Sequence, residues 1–150
     1  MKFKGTIVVT DPCYLTKKIT WEEREKGAID DWGVCDCGEH MERLGFKHFW
    51  VERTGIGDGA WPMDNLGEFS ADSGLTGCFL LDEILAYNKD FINEDLTGSA
   101  VIIEDFDGEV NTSRDTDGNL IVKVSGAAKN GRVVEAEVNL GAWYGDDEDE

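Results

Sequence analysis

Three short stretches pair an aspartate with residues that turn a chain: Asp11-Pro12-Cys13-Tyr14, Gly57-Asp58-Gly59-Ala60-Trp61-Pro62 and Ala71-Asp72-Ser73-Gly74. Glycine admits φ > 0 and a close approach of backbone, and an Asp-Pro pair ends a strand in a turn. A carboxylate fixed on such a turn can accept backbone N–H bonds, bind a cation, or hold a hydroxyl or amine of a ligand. If the three turns met, Asp11, Asp58 and Asp72 would charge a pocket walled by Tyr14 and Trp61, with Ser73 beside them. Such a pocket could take a divalent cation, a nucleotide base or a small cationic ligand, and two carboxylates sharing it could do acid–base or hydrolytic work. The plainer alternative is that each stretch is a tight turn between strands, its aspartate bonded to its own backbone.

Other residue types suited to catalysis are sparse. Cys35, Cys37 and His40 form the one metal-like cluster, and His48 or Cys13 could complete four ligands. Zinc cysteines usually stand two or more residues apart, so a C-x-C pair competes with a reading as plain thiols on a strand. No cofactor is assigned. His40 and His48 have no Ser or Cys nucleophile placed to share them. Asp115-Thr116-Asp117-Gly118-Asn119 is similar to the start of a calcium loop, but the twelfth position, where a glutamate is required, is Gly126. No glycine-rich loop precedes a helix, so neither a Walker nor a dinucleotide fingerprint is present, and no basic patch with interleaved aromatics occurs, which argues against direct nucleic-acid binding.

Charge is the strongest global feature. The net charge is −18, and residues 54–150 hold five Lys/Arg against twenty-two Asp/Glu, whereas residues 1–53 are nearly balanced. Such a surface repels phosphates and attracts cations or basic proteins; solubility alone is the competing explanation. Glu104, Asp105, Asp107, Glu109, Glu135 and Glu137 are spaced along strand-like runs and could imitate a row of phosphates.

The three aspartate turns together resemble a pattern in small, uncharacterised phage and bacterial proteins: a first strand running into a DPCY turn, a GDG-aromatic-Pro segment, then a strand ending in a D-S/A-G turn. The matching residues are Asp11 to Tyr14, Gly57 to Pro62 and Asp72 to Gly74, within the first half of the chain. The resemblance implies a shared fold and a shared site; it carries no activity.

The elements that would hold these residues are mostly strands. Residues 2–10 alternate and then turn solidly apolar; residues 46–53 are aromatic-rich; residues 67–71, 77–81, 99–104, 108–114, 119–125 and 133–140 complete the set. Asp115 to Gly118 and Asn130-Gly131 read as hairpin turns. Thr20-Trp21-Glu22-Glu23 is a capping box for a helix over 21–26, and Asp82 is placed to cap a second helix that fades near Asn93. A strand is expected at 32–37. The fold class is α+β and β-rich, a mainly antiparallel sandwich or partly open barrel with two short helices. One domain is expected over 1–144, with an acidic disordered tail over 145–150. No apolar run reaches the ~20 residues of a membrane helix, and the N-terminus reads as a strand, so the expected location is the cytoplasm.

From sequence, then, the expected function is that of a small acidic cytosolic binding protein, with a phage origin as one option. It would inhibit or sequester a basic nucleic-acid-processing or host-defence protein, with the strand acids acting as a DNA mimic. The alternative is the ligand-binding, metal-binding or hydrolytic pocket built from Asp11, Asp58 and Asp72.

Overall fold

The computed structural model describes residues 1–12, 15, 41–42, 45–54, 59–63, 66–71, 75–89, 91 and 98–141. The strands are β1 Lys2–Thr10, β2 Phe49–Arg53, β3 Gly59–Pro62, β4 Glu68–Ala71, β5 Leu75–Leu80, β6 Ala100–Arg114, β7 Leu120–Ala127 and β8 Val133–Asn139. Six of them form one antiparallel sheet in the order β2-β5-β1-β6-β7-β8, curled into a half-barrel, and β3 and β4 pair as a small second sheet. The expected β-rich, partly open antiparallel architecture is therefore present. One helix, α1 Leu81–Tyr87, lies among the described residues where two were expected. The helix expected at 21–26 and the strand expected at 32–37 fall outside those residues.

The helix α1 is also shorter than its sequence pattern suggests. Leu80 occupies the N-cap without a side-chain bond, and the helix closes at Asn88. Asp82 and Glu83 instead occupy the first turn, where negative charge suits the helix dipole. Glu83 also reaches across to β2. Its Oε1 accepts from the backbone N–H of Lys47 (2.8 Å) and of His48 (3.2 Å), fixing the entry to that strand.

The long ribbon of β1 and β6 carries the fold. β1 pairs with the first ten residues of β6 from Thr10↔Ala100 to Lys2↔Glu109, and β7 pairs with the later part from Asp107↔Ala127 to Arg114↔Leu120. The expected strands at 99–104 and 108–114 are thus one strand. Its register shifts between Gly5 and Ile7, where two residues of β6, Glu104 and Asp105, face Thr6 alone. Asp105 takes φ 52° and Gly5 φ 128°, and the Thr6 hydroxyl accepts from the Asp105 N–H. A bulge of this kind bends the strand and resets which face each side chain meets. Val101 and Ile103 before it, and Phe106 and Val110 after it, consequently enter the same core.

That core lies on the concave face and joins Phe3, Ile7 and Val9 to the inner residues of β7 and β8, with Trp61 and Phe69 from the small sheet closing it. A second core on the opposite face gathers Val8, Phe79, Ile84, Phe46, Leu15, Met41 and Phe91. Two covered faces explain why Ile7-Val8-Val9 is continuously apolar instead of alternating. The curl brings β2 back over the ribbon: the Trp50 indole donates to the Val110 carbonyl (3.1 Å), and Arg114 pairs with Glu52 at 3.5 Å. His48 sits edge-on to Phe3 with its ring nitrogen at the Lys2 carbonyl, which is a structural placement. Burial pushes the Cys78 thiol well above its ordinary range, so it is a packing group and not a nucleophile.

Candidate functional site

Strand pairing brings the flanks of the three aspartate turns to one end of the half-barrel. Thr10, the neighbour of Asp11, is opposite Gly77 of β5 on one side and Ala100 of β6 on the other. Arg53, which precedes Thr54, is opposite Leu75, the first residue of β5 after the Asp72 turn. Gly59 and Ala71, the chain neighbours of Asp58 and Asp72, are paired with each other across β3 and β4. One atom ties the two sheets together at this end. The Ser99 carbonyl accepts from the Thr10 hydroxyl at 2.8 Å and from the Ser70 N–H at 3.4 Å.

Of the six residues expected to line a pocket, Asp11 and Trp61 are among the described residues and both are wholly buried. Tyr14, Asp58, Asp72 and Ser73 lie outside them, as do Cys35, Cys37 and His40. Trp61 is spent on packing. Its ring tilts against Phe69 with centroids 5.7 Å apart, and its indole N–H donates to the Leu140 carbonyl at 3.0 Å. Thr10, Asp11, Thr54 and Thr76 are all buried polar residues at this end. That concentration is unusual, because buried polar groups need partners to offset desolvation. Among the described residues, no group of three or more His, Cys, Asp or Glu side chains is arranged to hold a metal ion.

The six strand acids are described in full, and all are exposed. Register decides what they face. Asp107 is opposite Lys4 and Glu109 is opposite Lys2, while Glu137 is opposite Lys123 and Glu135 is opposite Ser125. Glu104 pairs with Lys129 at 3.5 Å, beside a shallow groove of about 560 Å³ that Ile102, Ala128 and Arg132 also line. Asp105 is the bulge residue. The expected row of phosphate-like charges is thus interrupted by lysines across the β1–β6–β7 surface. Over the described residues, nine Lys/Arg meet fourteen Asp/Glu, a net of −5 out of −18. Cross-strand partners cannot be read from one strand alone, which is why the lysines do not show in the sequence pattern.

Asp115 is a site the sequence marks for a different reason. Its carboxylate accepts from the N–H groups of Asp117 and Asn119 (both 2.9 Å) and from the side-chain amides of Asn119 (3.2 Å) and Asn139 (3.1 Å). These donors, the Asn139 amide first, hold its carboxyl down at about 2. The calcium-like D-T-D-G-N string therefore builds a hairpin that ties the end of β8 to the β6–β7 turn. The sign follows from the depressed value. Stability from this carboxylate is full above the ordinary Asp value of about 3.9 and is lost as pH falls through about 2. Asp115→Asn is expected to melt below the parent protein at neutral pH, with the gap closing between those two values; melting curves across that range check it.

Among the described residues, no helix is long and apolar enough to cross a membrane. Comparison with protein-family models, with curated proteins and with solved structures gives no match.

Proposed function

We propose that the protein is an acidic binding protein that takes a basic protein partner at the end of the half-barrel where the aspartate turns leave the sheet. The observation that carries this reading is the shared Ser99 carbonyl, which joins the flanks of the Asp11 and Asp72 turns. In sequence, residues 13–14, 55–58, 72–74, 90 and 92–97 contain Asp58, Asp72, Asp90, Glu94 and Asp95 and not one lysine or arginine. Residues 16–40, which follow Leu15, add seven acids against four bases. This excess of acids in the sequence contrasts with the described sheet surface, where lysines intervene. A field of one sign steers a basic partner and weakens steeply with salt. Inhibition of a nucleic-acid-processing or host-defence protein, and a phage origin, are the specific forms this function would take.

The test uses an arginine-rich peptide followed by fluorescence anisotropy at low and high ionic strength. Replacing Asp58 and Asp72 together by asparagine should weaken binding roughly 5- to 30-fold, at about 0.5–1 kcal/mol for each charge removed. Asp107→Asn with Glu109→Gln should change it less than about twofold, since both acids already face lysines. Unchanged binding in the first variant would overturn the reading. A second reading, a pocket for a small cationic ligand or divalent cation, is favoured by the full burial of Asp11 at the same end. It is distinguished by a rise in melting temperature with calcium or magnesium that the Asp72→Asn change removes, in protein that ignores the peptide.

A further inference from the structure

The outer edge of β8 is a second surface whose chemistry points to a particular occupant. β8 is the last strand of the six-stranded sheet, and among the described residues no strand pairs with its other side. The direction of its backbone groups follows from the bonds at its two ends. The Ala128 N–H donates to the Arg132 carbonyl (2.7 Å) and the Leu140 N–H to the Leu120 carbonyl (2.8 Å), so even-numbered residues of β8 bond inward to β7. In an antiparallel ladder the alternate residues direct N–H and C=O away from that partner. Val133, Glu135, Glu137 and Asn139 therefore present their backbone groups outward.

Side chains add a pattern to this edge. Glu135 and Glu137 lie on the exposed face, and Val134, Ala136 and Val138 lie on the core face. Val133 is 77% exposed, an outlier for a large apolar residue among the described residues. Beside it runs a cleft of about 270 Å³ lined by Leu66, Arg132, Val133, Val134 and Glu135. Natural edge strands are protected by charge, and here the charge is of one sign. A second copy pairing antiparallel about a two-fold at Ala136 would set Glu135 against Glu137 twice. A two-fold at either glutamate would set it against itself. Like charges directly opposite are unfavourable, so these three registers disfavour a second copy.

From this we infer that the β8 edge accepts an extended segment of a basic protein by strand addition, with lysine or arginine opposite Glu135 and Glu137 and an apolar residue between them over Ala136. Backbone bonds supply attachment and the alternate side chains supply selection. The inference rests on the proposed function only in taking the partner to be basic; the residues differ, and so does the probe.

The probe is a capped peptide alternating lysine and valine, compared with two N-methylated forms that block one or the other set of backbone N–H groups. Binding by anisotropy should fall about tenfold or more for only one methylated form, and the amides of Glu135 and Glu137 should gain protection from hydrogen exchange. Glu135→Gln with Glu137→Gln should weaken binding, whereas Asp107→Asn with Glu109→Gln, acids that already face Lys4 and Lys2, should change it less than about twofold. Glu135→Pro removes an outward N–H without touching the β7 ladder and should abolish binding; the methylated peptides give the same answer should that variant misfold. Equal binding of both methylated forms, or binding without protection at Glu135 and Glu137, overturns the inference. So does a dimer of the unliganded protein with those two amides already protected, because the occupant would then be a second copy.

Discussion

Trp61→Ala is expected to lower stability by about 3–5 kcal/mol, the cost of removing a large aromatic from a closed core. A typical domain has only about 5–15 kcal/mol in total, so this single change takes the protein close to unfolding at physiological temperature. Trp61 is wholly buried, packs on Phe69, and bonds the Leu140 carbonyl at 3.0 Å. It is therefore the residue that seals the small β3–β4 sheet onto the end of β8. Trp61→Phe separates the two contributions. It keeps most of the apolar volume but leaves the Leu140 carbonyl without its indole donor, and an unmet buried acceptor costs about 1–3 kcal/mol. Denaturant unfolding should rank the parent above Trp61→Phe and Trp61→Ala last. A pocket-wall role would give the opposite pattern, with binding altered and the unfolding midpoint nearly unmoved.

Trp61 also shows where sequence reading stops. An aromatic in a Gly-Asp-Gly-Ala-Trp-Pro string looks like a ligand platform, because nothing local says which face the hairpin buries. Only the packing of β3 and β4 against the concave face makes it core. Local signals are more telling elsewhere. Asn130 and Gly131 have φ 67° and 75°, as the type I′ turn expected of Asn-Gly requires. The alternation of residues 133–140 matches the two faces of β8. The continuity of β6 is harder to read. Ile103 and Phe106 are both apolar but three apart, out of phase for a plain strand, and that break is the bulge at Glu104 and Asp105. For the candidate site, the sequence picks out the three turns, and the strand order places their flanks together. The charge pattern of one strand is incomplete for a physical reason. An acid's field depends on its cross-strand neighbour, and Lys2, Lys4 and Lys123 are set against Glu109, Asp107 and Glu137 by register, a long-range property of the fold.

The paired glycines of β6 and β7 carry the second large effect. Gly108 and Gly126 stand opposite each other, between Phe3 on β1 and Val134 on β8. The ladder alternation that turns Gly126 inward to β8 makes Gly108–Gly126 a non-hydrogen-bonded pair, the type in which opposing residues come closest. A Cβ on Gly108 would lie 2.3 Å from the Ser125 carbonyl oxygen and 2.6 Å from the Gly126 Cα, and one on Gly126 would lie 2.6 Å from the Asp107 carbonyl oxygen. These obstacles are backbone, so no side-chain rotation relieves them. The Phe106 ring reaches over the same spot, its Cζ 2.9 Å from where the Gly108 Cβ would be. An aromatic lying across a strand glycine fills the space that a side chain would otherwise occupy. Gly126→Ala and Gly108→Ala should each cost about 1–3 kcal/mol through forced separation of the two strands. Because each works by opening the same gap, the double variant should lose less than the two single losses added, by about 0.5 kcal/mol or more. Additive losses would mean that the two sites yield independently and that the close approach of β6 and β7 is not what excludes the methyl groups.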